Sequence, residues 1–250
     1  KNRTTFVSNF FTGLTASPQR LEINIKHKDM QRIRYLIEKS IKRGRIYSDV
    51  KDETFSAEIN YNGTVYKCKL SLTGQNLDHI VSSKTSFKLK IKGNHALLGM
   101  KEFALLVPKS RGYLSEWIVH KLQEAEGLIS LRYDFVDVTL NGKHSGMFVL
   151  EEHFEKRLIE NNGHKEGIIF KPGQDSIYTY NSNKIAADSL LSNRLSMLNR
   201  SWLSFISGDK KVKDIFDVEK LAKDFAITEL VNGYHSRWMG NLRYYHIPIT

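Results

Sequence analysis

Apolar residues recur along this chain with two periods, and the switches between them divide it into elements. Residues 1–20 are polar and irregular. Met30, Ile33, Ile37 and Ile41 then fall three or four apart, which predicts a helix over about Lys28 to Lys42 ending near Gly44. FSAEINY and TVYKCKLSL flank Asn62-Gly63 and read as a hairpin. SFKLKIK alternates, with Phe87, Leu89 and Ile91 on one face and Lys88, Lys90 and Lys92 on the other. RGYLSEWIVHKLQEAEGL returns to helical spacing through Leu114, Trp117, Ile118, Lys121, Leu122 and Ala125.

The next stretch predicts a tight turn. RYDFVDVTL and SGMFVL are extended segments joined by Asn141-Gly142, the dipeptide favoured where two successive residues need positive φ, and an acidic helix, EEHFEKRLIENN, follows. GIIFK is a short strand and PGQDSIYTYNSN a polar loop. Ile185 to Ile206 and Val218 to Val231 have helical spacing, with Asp217 placed to cap the second, and NLRYYHI is a last strand. Strands dominate the first half and helices the second, which gives an α+β, two-lobed expectation without internal repeats.

Composition narrows the classes. A chain of 250 residues is long enough to bury a sizeable core. One cysteine, Cys68, excludes an intrachain disulfide and reads as an ordinary strand residue. No run of about 18 apolar residues is present, so no membrane span is expected, and KNRTTFVSNFF lacks the apolar core of a signal peptide. The net charge of +11 suits phosphates or acidic surfaces. Its densest run, Lys39 to Arg45, falls at a helix end where cations are favourable, and no nucleic-acid signature accompanies it. Phosphate-loop, dinucleotide and zinc motifs are missing, and His144, Glu151, Glu152 and His153 lack zinc-site spacing.

The residue types suit phosphoryl transfer, which needs a cation for the phosphates, a carboxylate to hold that cation, metal ligands and a group to orient the acceptor. Lys88 or Lys90 can reach phosphates from a strand, and Glu116 can pair with one of them from the next helix, although alternating lysines equally make a solvated strand face. GMFVLEE reads as a connection between lobes, where Met147, Phe148 and Val149 can sandwich a base or belong to the core. Glu151 and Glu152 can bind ribose or begin a helix, and Lys171 is a second phosphate candidate.

Five segments carry a resemblance: LEINIKHKDMQRIRYLIEKSIKRG, KLSLTGQNLDHIVSSKTSFKLKIKG, GMKEFALLVPKSRGYLSEWIVHKL, RYDFVDVTLNGKHSGMFVLEEHFEKRLIENNGHKEGIIFK and LVNGYHSRWMGNLRYYHIPIT. Taken in order they resemble the CotH family, the spore coat protein H-like atypical kinases. The resemblance implies a two-lobed, protein-kinase-like α+β fold with an antiparallel-strand-rich N-terminal part and a helix-rich C-terminal part. Residues 1–250 would form one domain, about 20–150 resembling an N-lobe and about 151–250 a partial, truncated C-lobe. It further implies ATP and Mg²⁺ or Mn²⁺ as cofactors and Ser/Thr hydroxyls of a protein substrate as acceptors, in the bacterial cytoplasm or at a spore or cell surface.

By the same resemblance NGYHSRWMGN lies at the catalytic-loop position, so Asn241 would be a metal ligand. His235 would stand near the acceptor, where many members carry an aspartate. Two departures set this chain apart: SLTG puts Thr73 where the family commonly has a basic residue, and Thr250 falls shortly before the family's second metal-binding aspartate. Transfer of AMP, activation of a carboxylate, or a surface scaffold with a degenerate cleft are the alternatives.

Overall fold

The computed structural model describes residues 17–80, 83–232 and 242–247. Seven strands close into a barrel in the order β1-β2-β3-β4-β5-β7-β6: β1 (Gln19–Ile25), β2 (Phe55–Tyr61), β3 (Thr64–Leu72), β4 (Phe87–Ile91), β5 (Glu102–Leu106), β6 (Tyr133–Leu140) and β7 (Lys143–Glu152). Three more, β8 (Ile168–Pro172), β9 (Ile177–Thr179) and β10 (Tyr244–His246), form a small sheet ordered β10-β8-β9. The sizeable helices among the described residues are α1 (His27–Arg43), α3 (Ser115–Ala125), α6 (Ser189–Ile206) and α7 (Val218–Leu230). Shorter ones are α2 (Ser48–Lys51), α4 (Lys156–Asn161) and α5 (Ser182–Ala187).

This architecture corrects the two-lobed kinase-like expectation: the strands make a closed barrel, and the chain is not clearly two-lobed in the kinase manner. Side-chain periodicity identifies strands but not their partners, and the pairing that closes the barrel joins β1 to β6 in parallel, from Gln19↔Val136 to Ile23↔Leu140. β1 and β5 also escaped the pattern, and β9 lies inside the stretch read as a polar loop.

The chain divides into two compact units, one of Lys1–His95, Leu105–Pro108 and Asp134–Leu150, the other of Ala96–Ala104, Lys109–Tyr133 and Glu151–Thr250. In the first unit, alternate residues Leu21, Ile23 and Ile25 of β1, Ala57 and Ile59 of β2, Cys68 and Leu70 of β3 and Leu89 and Ile91 of β4 are buried. Each Leu or Ile among them contributes roughly 1.5–3 kcal/mol. Burial pushes the Cys68 thiol up to about 12, and its S–H donates to the Ala57 carbonyl at 3.4 Å, as suits an inert strand cysteine.

Both Asn-Gly turns form as the sequence predicts. Asn62 and Gly63 have φ of 50° and 79°, and Asn141 and Gly142 have 48° and 75°, the pair of left-handed residues that a two-residue hairpin requires. Asn141 does more than turn the chain. Its backbone N–H donates to Ile23 O (2.8 Å), its Nδ2 to Ile25 O (3.0 Å), and its Oδ1 accepts from Ile25 N–H (2.7 Å), so the β1–β6 ladder continues through a side chain.

Helix α1 ends at Gly44 (φ 72°), whose N–H bonds Ile41 O while Arg45 N–H bonds Ser40 O, the paired bonds of a Schellman ending. Its buried residues are Ile33, Leu36 and Ser40, whereas Ile41 is exposed, so the apolar stripe is offset from the expected one. In the second unit, the single helix expected over Ile185 to Ile206 is broken at Asp188, which is extended and caps α6 by accepting from Leu191 N–H. Asp217 caps α7 as expected, accepting from Lys220 N–H. Ile168, Phe170, Ile185, Leu198 and Trp202 form the core there, with Phe205, Phe216 and Tyr244 packed around them.

Candidate functional site

The second unit gathers a polar cluster at the start of α3. A 3₁₀ turn, Pro108–Arg111, leads into Gly112 and Tyr113, which both adopt left-handed backbone (φ 61° and 59°) before the helix begins. Tyr113 takes that conformation without glycine's freedom, at a cost of the order of 1 kcal/mol. The reversal returns Arg111 over the first turn of α3. Its Nε lies 3.3 Å from Glu116 Oε2 and 3.3 Å from Glu151 Oε2, so one guanidinium bridges two carboxylates.

Helix α3 turns a polar stripe inward. Glu116, His120 and Gln123 are half-buried alongside Trp117 and Leu122 of the expected apolar stripe, whereas Leu114, Ile118, Lys121 and Ala125 of that stripe are exposed. Sheltering three polar side chains beside Trp117, Val119 and Leu122 departs from the usual patterning, and such departures concentrate at functional sites. Gln123 donates to Asp224 of α7 at 3.0 Å, and the His120 ring lies 5.0 Å from that of Tyr133. Ser130 Oγ donates to the His120 carbonyl at 2.9 Å.

Burial dominates the electrostatics. It raises the Glu116 carboxyl to about 7, with Arg111 opposing and Glu151 adding to the rise. Glu151 is raised by burial as well, again against Arg111. His120 is pushed down to about 4 by burial, while its hydrogen bond to Gln123 opposes and Arg111 and Lys121 add to the fall. Burial likewise raises Tyr133, helped by Glu116 and Glu151. The cluster therefore presents a carboxyl that exchanges its proton near neutrality beside a histidine that stays uncharged.

These shifts have opposite consequences for stability. Because Glu116 titrates near 7 in the fold and its ordinary value is 4.5, it favours the fold fully below about pH 4.5, and that contribution is lost as pH rises through 7. His120, depressed from 6.5 to about 4, contributes fully above about pH 6.5 and loses it as pH falls through 4. Glu116→Gln removes only the first. Urea unfolding at a series of pH values is expected to show the variant gaining on the wild type as pH rises from about 4.5 to 7, with no further change beyond. A pH-independent difference between the two proteins would show that Glu116 titrates like an exposed carboxylate.

The neighbouring carboxylate has another task. Glu151 and Glu152 continue β7 rather than starting a helix, so the strand period sends them to opposite sides. GMFVLEE is accordingly part of a barrel strand, with Phe148, Val149 and Leu150 buried, and the chain passes from the first unit to the second within it, after Leu150. The Glu152 side chain is fully buried and accepts from Arg132 N–H (3.1 Å), from Nε (3.0 Å) and from Nη2. Arg132 also donates to Leu98 O (3.3 Å) and Gly99 O (3.2 Å). Gly99 has φ 78°, and a Cβ there would lie 2.3 Å from Arg132 Nη1, so the guanidinium occupies the space of a missing side chain. Geometry of this kind fixes backbone and is structural.

The other expected site residues are placed as follows. Lys88 is half-buried opposite Ser71, and Lys90 is exposed opposite Lys69. Met147 is exposed, and its carbonyl accepts from Lys84 Nζ at 2.8 Å. Lys171 faces Tyr178 across β8 and β9, its Nζ 6.0 Å from the ring centre. His235 and Asn241 lie outside the described residues. Lys88, Lys90 and Met147 belong to the first unit, and Glu116, Glu151 and Lys171 to the second. Of the expected residues, the structure brings Glu116 and Glu151 together through Arg111, which the sequence reading had not singled out.

No group of three or more His, Cys, Asp or Glu side chains is arranged to hold a metal ion among the described residues, and the Glu116 and Glu151 oxygens are turned to Arg111. These residues alone do not fit a divalent cation. No curated protein matches the chain. The model of the CotH family, described as CotH kinase protein, matches residues 73–247, beginning immediately after β3 and taking in the Arg111–Glu116–Glu151 cluster. The match spans well over half of the 250 residues, and the chain belongs to the CotH family.

Proposed function

We propose that the chain is an ATP-dependent transferase of the CotH type that moves phosphate to Ser/Thr hydroxyls of a protein substrate, with Mg²⁺ or Mn²⁺ bound alongside the nucleotide. The observation that carries this reading is the match of residues 73–247 to a family described as a kinase. Supporting it is the half-buried cluster of Arg111, Glu116 and Glu151, a concentration of perturbed charge of the kind found where chemistry is done. In this proposal Lys88 or Lys90 holds phosphates, and Glu116 is the carboxylate of the nucleotide site. Arg111 fixes Glu116, and Glu151 lies by the ribose. Met147 lies near the base and Lys171 near the phosphates, Asn241 binds metal, and His235 stands near the acceptor. Its partial shelter makes Lys88 the better of the two lysines, since a phosphate interaction is worth more out of bulk water.

Calorimetry on the full protein, with and without Mg²⁺ or Mn²⁺, is expected to show metal-dependent ATP binding that Asn241→Ala weakens, with little change in stability without nucleotide. Equal affinity in both proteins under both conditions removes Asn241 from the site. ATP labelled at the γ-phosphate is expected to mark protein Ser/Thr. Label entering only from the α-phosphate would mean AMP transfer, and no binding at all would leave a scaffold.

A further inference from the structure

The outward face of β3 and β4 carries a block of positive charge assembled by strand register. Lys67 and Lys69 are exposed on β3, while Cys68 between them and Leu70 beyond are buried. Register sets Lys69 opposite Lys90, and the Lys92 N–H donates to the Lys67 carbonyl at 2.8 Å, which carries the ladder on and sets Lys92 beside Lys67. Lys90 and Lys92 are exposed as well. Four lysines thus form a two-by-two block, about 6.8 Å apart along each strand and about 5 Å apart across. Like charges directly opposite one another weaken a sheet. Lys67 and Lys69 have no ion-pair partner among the described residues.

We propose that this block docks an acidic polypeptide in extended conformation. Alternate side chains of an extended chain recur at the same spacing of about 6.8 Å, so two carboxylates on one edge can meet Lys67 and Lys69 together. The border of the block argues for a polypeptide over a single-stranded nucleic acid. The outward positions beside the block on β2 and β3 are Ser56, Glu58, Asn60 and Val65, none of them an aromatic ring on which a base could stack. Docking here requires no nucleotide, so its test is separate from that of the transferase.

Fluorescence anisotropy of labelled poly-L-glutamate with the full protein, without ATP, is the test. Lys67→Gln/Lys69→Gln/Lys92→Gln leaves Lys88 and Lys90 intact and is expected to weaken binding at least about tenfold and to flatten its salt dependence. Lys69→Gln alone is expected to weaken binding while leaving thermal stability equal or higher, because it relieves the repulsion with Lys90. Unchanged affinity in the triple variant, or in Lys69→Gln where the triple variant does not fold, overturns the proposal. So does tighter binding of single-stranded oligonucleotide or phosphatidylserine vesicles than of poly-L-glutamate at physiological salt.

Discussion

Glu152→Ala is expected to lower the unfolding free energy by about 3–5 kcal/mol, the range for stripping one partner from a buried ion pair. The carboxylate is fully buried and receives three donors from Arg132. Its loss leaves the guanidinium, 26% exposed, with the Leu98 and Gly99 carbonyls and partial access to water in place of its carboxylate. Since a domain's total stability is about 5–15 kcal/mol, the variant should be marginal at growth temperature. Glu152→Gln keeps size and an acceptor and should fall between the two. Urea titration followed by far-UV circular dichroism decides it: a loss below about 1 kcal/mol would mean that the pair contributes little beyond packing.

Arg111→Met is expected to reduce transfer activity on the order of 100-fold, the scale of removing one preorganised charged contact. Arg111 is a positioning residue in this account, acting on Glu116 and Glu151 through contacts of 3.3 Å to each. A merely structural arginine would lower the amount of folded protein and leave the pH profile of what remains unchanged. Here the profile itself must move. Arg111 is the influence that opposes the rise of Glu116, so without it the carboxyl protonates at higher pH than about 7. The stability deficit of the variant should therefore be larger at about pH 8 than at about pH 5, because both carboxylates are forced to ionise unpaired at the higher pH. Arg111→Lys should restore the stability profile in part but not the bidentate geometry. An activity profile that keeps its wild-type shape in Arg111→Met would remove the cluster from the mechanism.

Local features were legible in the residues wherever a single element determines them. The Asn62-Gly63 and Asn141-Gly142 turns, the Gly44 helix end and the Asp217 cap depend on backbone chemistry within a few positions, and each formed as expected. What failed depends on partners. The parallel β1–β6 pairing leaves no periodic trace, and the two lobes expected from the strand-then-helix order, kinase-like by the resemblance, gave way to a barrel. On α3 the expected stripe held only in part: Trp117 and Leu122 are sheltered and Leu114 and Ile118 are not, while Glu116, His120 and Gln123 are sheltered among polar partners. Arg111 was missed for a related reason: its bond to Glu151 spans 40 positions, and only the paired left-handed residues after it hinted at a reversal. Glu151 and Glu152 could have been separated in advance, since an extended chain sends neighbours to opposite sides.

Closure through Asn141 also sets a clock on biosynthesis. β1 can pair with β2 soon after both leave the ribosome, but the residue that seals its other side lies 116 positions beyond Ile25. At roughly 5–20 residues per second, that side stays uncovered for on the order of ten seconds. Throughout that interval the nascent chain offers a row of open peptide groups to any other strand within reach, including the same strand on a neighbouring ribosome.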